Sequence, residues 1–107
     1  MNSEAPKGLD VRPEEWAIVS GILRAYLPGR EIWAFSSRAT GTAKPYSDLD
    51  LALIGETPLP LHTLAALREA FSESDLPWKG DLVDWATTNA TFRKVIEARR
   101  VVVQRGE

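Results

Sequence analysis

The chain has no cysteine and a single histidine in its 107 residues. The missing thiols exclude disulfides, and the two scarcities together exclude Cys/His zinc centres and Cys–His nucleophilic catalysis. Long apolar runs are also missing: no stretch of about 18 apolar residues is present, so nothing reads as a membrane span. Charge of one sign is lacking too. Thirteen Lys and Arg face fifteen Asp and Glu, a formal net charge of −2, which excludes broad electrostatic binding of nucleic acid. The opening MNSEAPKGLD is polar and has no signal-peptide core, so the expected location is cytoplasmic. There is no internal repeat and no low-complexity segment. The remaining expectation is a flexible leader over residues 1–11 and a single domain over residues 12–107, long enough to bury a real core. That length is short for an enzyme that must surround two substrates.

What is present alternates between helical and strand patterns. Residues 13–27 predict a helix: Pro13 suits its first position, Glu14 and Glu15 suit the positive dipole end, and Trp16, Val19, Ile22, Leu23, Tyr26 and Leu27 share a face. Pro28 and Gly29 stop it. Residues 31–35 predict a short strand. Residues 36–41 are small and polar, with a helical turn expected. Residues 48–54 (DLDLALI) alternate and predict a strand with an acidic end. A second amphipathic helix is expected over 61–74, a strand over 81–86, a short helix over 89–98 capped by Thr88 with Phe92, Val95 and Ile96 inward, and a last strand over 100–104. The fold class is therefore α+β, a mixed β-sheet with helices packed on it.

The stretch FSSRATGTAKPYSDLDLAL, from Phe35 to Leu53, holds the chemistry. A strand runs into the hydroxyls of Ser36 and Ser37 and then a helical turn, whose backbone N–H groups and small side chains suit phosphate. Arg38 adds a positive charge beside them. Asp48 and Asp50 sit two apart on one strand, which puts both carboxylates on one face with Cα atoms about 6.5–7 Å apart. Such a pair suits hard divalent cations, and its mutual repulsion favours a cation between them. Asp81 opens a later strand that can join the cluster. Asp84 is its rival, but alternation sends the two to opposite faces.

The combination FSSRATG…SDLDLAL followed by DLVDWA resembles the minimal nucleotidyltransferases, small members of the DNA polymerase β-like superfamily. The likeness spans about residues 15–104 and includes the ending ATFRKVIEARRVVV. It implies a polymerase β palm-like fold and transfer of AMP from ATP to a hydroxyl. It implies that Asp48, Asp50 and Asp81 are catalytic and hold Mg²⁺, in two ions. It places Ser37 on the nucleotide phosphates, with Ser36, Arg38 and Ser47 also at the nucleotide, and Gly41 in the continuation of the motif. A further implication is a small helical HEPN-type partner, with this chain as the antitoxin that adenylylates a tyrosine on it. The partner would supply what larger relatives carry as an extra helical domain. A homo- or hetero-oligomer is in keeping with this.

One position departs from the family pattern: Ser36 stands where the family has glycine. A positive φ there would strain the turn and weaken nucleotide binding, whereas a negative φ would let the hydroxyl serve as one more donor. The alternative function is accordingly a catalytically weakened module that acts by complexing a helical partner. Elsewhere the expectations are plain. His62 is solvated or packs on a helix. Trp16, Trp33 and Trp78 are core or interface anchors, and Trp85, beside the acidic cluster, is expected to pack in the core. Arg93, Lys94, Arg99 and Arg100 form a solvated basic face.

Overall fold

The computed structural model describes residues 4–107. Its first long element, α1 (Pro13–Tyr26), buries Trp16, Val19 and Leu23, and Glu15 turns back to accept the N–H of Arg12 at 2.9 Å. The helix stops before Pro28, and Gly29 takes a φ of 74°, a left-handed conformation that glycine adopts without a Cβ penalty. Then follow β1 (Ile32–Ala34), a single-turn α2 (Ser37–Thr40), β2 (Leu49–Leu53), α3 (Leu61–Ser72), β3 (Gly80–Asp84), a 3₁₀ turn over Trp85–Thr87, α4 (Ala90–Arg99) and β4 (Val101–Gln104).

The four strands form one mixed sheet in the order β3-β2-β1-β4. Strand β1 is antiparallel to both β2 and β4, whereas β2 and β3 run parallel across the α3 crossover. Period-two alternation divides the residues between two faces. Ile32, Ala34, Leu49, Leu51, Leu53 and Leu82 turn to one side, where Trp16, Val19 and Leu23 of α1 and Leu64, Leu67 and Phe71 of α3 cover them. Each leucine fully buried there contributes about 1.5–3 kcal/mol. The opposite face is thinner. Phe35, Ala52 and Ile96 form a small second cluster with Trp33, Val83 and Trp85 around it. Helix α4 covers only part of that face, and the rest opens at the end where β1 stops and β2 and β3 begin.

Several boundaries move from expectation, each for a local reason. The third strand begins at Gly80 and stops at Asp84, short of residue 86, because the Asp84 carboxylate accepts the N–H of Ala86 and starts the 3₁₀ turn. Asn89, not Thr88, caps α4, accepting the N–H of Phe92 at 2.8 Å. Of the three α4 residues expected inward, only Ile96 is buried, while Phe92 and Val95 stay partly exposed. Part of the expected leader makes contacts with the domain. Residues 1–3 lie outside the described residues, but Leu9 is 8% exposed within the main core, Ala5 and Val11 pack against it, and the Asp10 N–H donates to the Arg38 carbonyl at 2.7 Å. Among the described residues no helix is long and apolar enough to cross a membrane.

Candidate active site

Three segments meet at the open end of the thin face. Strand β1 delivers Ser36, β2 delivers Asp50 and β3 delivers Asp81. The Ser36 hydroxyl donates to the Asp50 carboxylate, and the parallel ladder pairs Asp50 with Asp81, so both project from the same face. Asp48 precedes β2 by one residue, exposed, and its charge is felt at Asp50. The Asp50 carboxyl is held above the ordinary aspartate range. Burial is the main cause, opposed by the Ser36 hydroxyl and reinforced by the charges of Asp81 and Asp48. Together these observations describe a half-buried acidic pocket with more negative charge than its surroundings neutralise.

Register also decides between the two rival carboxylates. Asp84 pairs with Leu53 and lies on the opposite side of the sheet from Asp81. Both its oxygens are engaged by backbone: one accepts from Leu59 at 2.9 Å and the other from Ala86 at 3.2 Å. It ties the β2–α3 connection to the end of β3 and does not face Asp50.

Ser36 has a φ of −110°, and no non-glycine residue described has a positive φ. The serine at the glycine position therefore costs no left-handed strain. Gly41, at φ 79°, closes α2 in the left-handed conformation. Ser37 opens α2 and is half-buried beside Ser36.

Arg38, expected beside the phosphates, has its guanidinium engaged by the backbone of the chain. It is 5% exposed, and its guanidinium donates to the carbonyls of Ser47 (2.8 Å), Asp10 (2.9 Å), Pro45 (3.0 Å) and Lys44 (3.3 Å). Its planar head also lies over the Trp78 ring, 4.5 Å from the centroid. Four carbonyls satisfy the fork, so Arg38 braces the loop between α2 and β2. Ser47 belongs to the same loop, its hydroxyl accepting the Lys44 N–H at 2.8 Å. Its role in the structure is to shape the approach to Asp48.

The acidic groups border a cleft of about 300 Å³, whose other wall is Phe92, Val95 and Arg99 of α4. Sequence reasoning missed these three as site residues. The available signal was the spacing: residues 92, 95 and 99 follow one helical stripe, with Ile96 at its buried edge. Trp85 packs edge-on against Trp33 at 5.3 Å, away from the cleft, and Arg93 and Arg100 lie over these two rings. Three of the four tryptophans thus carry an arginine on one face. His62 is exposed at the start of α3.

The family model for polymerase beta nucleotidyltransferases matches residues 21–107. The chain belongs to this nucleotidyltransferase family. A curated relative, the probable protein adenylyltransferase MntA of Haemophilus influenzae, is 54% identical over 99 residues, covering 92% of this chain and 87% of the relative. Among solved structures, a toxin–antitoxin crystal structure with AMP-PNP superimposes with a TM-score of 0.70 at 22% identity, over 84% of this chain and 73% of that one. A complex of tri-AMPylated Shewanella oneidensis HEPN toxin with MNT antitoxin superimposes at 0.61 and 21% identity, over 81% and 66%. These likenesses establish the nucleotidyltransferase fold that the mixed sheet and its helices form here.

For a nucleotidyltransferase the donor chemistry is apt. Asp48, Asp50 and Asp81 offer only hard carboxylate oxygens, which suit Mg²⁺ and not a soft metal. Burial first, and the charges of Asp81 and Asp48 next, raise Asp50, and a divalent cation there would favour its ionised form. As placed, however, no group of three or more His, Cys, Asp or Glu side chains among the described residues is gathered tightly enough to hold an ion.

Proposed function

We propose that this nucleotidyltransferase transfers AMP from ATP to a hydroxyl on a partner protein, a tyrosine of a small helical HEPN-type toxin, and so acts as its antitoxin. The observation that carries the reading is the Ser36–Asp50–Asp81 cluster at the mouth of a cleft. It stands in a chain 54% identical to a probable protein adenylyltransferase. Structural neighbours that are toxin–antitoxin complexes support the partner class.

In this reading Asp48, Asp50 and Asp81 would hold Mg²⁺, as two ions, which would supply neutralisation of the charge that develops during transfer. Ser36 and Ser37 meet the phosphates at the start of α2. Arg38 and Ser47 hold the loop that leads to Asp48. The acceptor oxygen forms a bond to the α-phosphorus and its proton passes to the Asp81 carboxylate. The bond between the α-phosphorus and the bridging oxygen breaks, and pyrophosphate leaves with the electron pair. Ser36 orients Asp50 through its hydroxyl. Positioning on a rigid sheet supplies much of the rate.

The test is incubation of the protein with α-labelled ATP, Mg²⁺ and the adjacently encoded helical protein. Label is expected on the partner tyrosine with the wild type and not with Asp50→Asn. A stable complex without label would instead establish the non-catalytic binding module. Fractionation that places the chain outside the cytoplasm would overturn the expected location.

A further inference from the structure

Helix α4 keeps two large apolar side chains out of the core. Phe92 is 38% exposed and Val95 39%, although the adjacent Ile96 is fully buried. Neither position is accidental. The Phe92 ring sits edge-on against the buried Phe35, with centroids 5.7 Å apart and planes at 86°, so packing fixes where it stands. Both side chains border the cleft whose far wall carries Ser36, Asp50 and Asp81, with Val83 between them. The α4 wall of the cleft is thus apolar at Phe92 and Val95 and carries a cation at Arg99, and the wall across from it is acidic. Exposed apolar surface beside a charged site marks a binding surface more than a packing defect.

We propose that this cleft is the acceptor slot: Phe92 and Val95 hold the ring of a phenolic side chain whose hydroxyl points at Asp50 and Asp81, and they select tyrosine over serine or threonine. The inference rests on the adenylyl transfer proposed above and adds which residues read the acceptor. Size favours a single ring. A cleft of about 300 Å³ lies at the small end of ligand sites, room suited to one ring beside the reacting phosphate. Chemistry favours a phenol over the adenine ring. A purine edge carries several hydrogen-bonding nitrogens; Phe92 and Val95 offer them no partners, and only Arg99 on that wall could. A phenol has an apolar body and one polar tip, matching a slot that is apolar along its side and acidic at its end. A serine hydroxyl sits one carbon from its backbone. Bringing it to Asp81 would press unpaired peptide groups against Phe92 and Val95.

The experiment measures initial rates of labelled transfer to the partner protein, varying ATP and partner separately, for wild type, Phe92→Ala and Val95→Ala. Losing such a contact in an apolar pocket lowers selectivity by roughly 10–200-fold. The expected result is a fall of about tenfold or more in kcat/KM for the partner, with KM for ATP unchanged. The wild type should also fail to label a partner whose acceptor tyrosine is replaced by serine. A raised KM for ATP with the partner's kcat/KM unchanged would place the base in the slot and overturn the proposal, as would unchanged kinetics in both variants. Val95→Asp, at a partly exposed site, provides a second variant should Phe92→Ala fold poorly, and it is expected to lower kcat/KM for the partner at least as far. If the wild type labels no partner at all, the transfer reading falls and the slot with it. If the wild type labels and the variants match it, the slot alone falls.

Discussion

The Arg38 guanidinium lies over the Trp78 ring at 4.5 Å while donating to four backbone carbonyls from two other parts of the chain. This one side chain joins the N-terminal segment, the α2–β2 loop and the approach to β3. Its substitution separates a structural from a nucleotide role. Arg38→Met leaves those carbonyls without donors, and breaking a buried charged network costs on the order of 2–4 kcal/mol. The expected outcome is a matching loss in urea unfolding with an unchanged slope. A variant with wild-type stability and a raised KM for ATP would show instead that Arg38 serves the phosphates.

Asp81 and Asp84 sit three residues apart on opposite faces, and their asparagine variants should fail differently. Asp81→Asn is expected to fold normally and lose about 10²–10⁴-fold in transfer rate, the usual contribution of a proton acceptor. Asp84→Asn weakens the bonds to Leu59 and Ala86. It should cost about 1–2 kcal/mol of stability while its folded fraction stays active. Paired melting curves and labelling assays on the two variants check both outcomes.

Two carboxylates respond to pH in opposite directions. Asp50 is raised, chiefly by burial. Folding therefore holds a charge it disfavours at neutral pH, and that cost disappears as pH falls through the raised folded value toward the unfolded aspartate value of about 3.9. Glu31 is lowered, first by the hydrogen bond from the Trp33 indole and next by that from the Gly106 N–H. Its stabilisation is present above the unfolded glutamate value of about 4.3 and is lost as pH drops through the lowered folded value. In chelator, Asp50→Asn should melt above the wild type at pH 7, with the gap closing by about pH 4. Glu31→Gln should melt below it, its gap also closing in acid. Added Mg²⁺ should raise the wild-type melting temperature and leave Asp50→Asn unmoved.

Gly80, next to Asp81, leaves room for the Phe71 ring of α3 against β3. A Cβ at this position would sit 3.0 Å from two ring carbons of the buried Phe71. Overpacking of this kind costs about 1–3 kcal/mol. Gly80→Ala should lose that much in denaturant unfolding and also lower transfer, because the displaced residue adjoins Asp81. Adding Phe71→Leu is expected to restore part of both.

The sequence legibly carried what repeats with a period. Helix α1 could be read from Trp16, Val19 and Leu23, and β2 from Leu49, Leu51 and Leu53, because those spacings reflect one buried face. The same alternation that separated Asp81 from Asp84 appears in the ladder. What could not be read has no period. Arg38 is buried by carbonyls that lie 6 to 28 positions away, and a surface-type residue gives no local sign of such partners. DLVDWA reads as a strand to residue 86 because Trp85 and Ala86 are apolar, whereas the Asp84 carboxylate, accepting the Ala86 N–H, ends the strand. Leu9 lies in a polar segment, and only tertiary packing shows that it belongs to the core.

The strand directions also set when the chemistry can appear during folding. Because β1 opposes β2 while β3 follows it in parallel, Ser36, Asp50 and Asp81 meet only after the chain has closed the long excursion through α3. Non-local pairings of this kind come late, since their loop entropy is lost before their contacts form. A chain that has made its helices and the β1–β2 hairpin is already rich in secondary structure yet chemically silent. With the site proposed above, enzymatic activity is expected to read out complete folding, and proteolysis or mutation that loosens β3 alone to silence it without dismantling the rest.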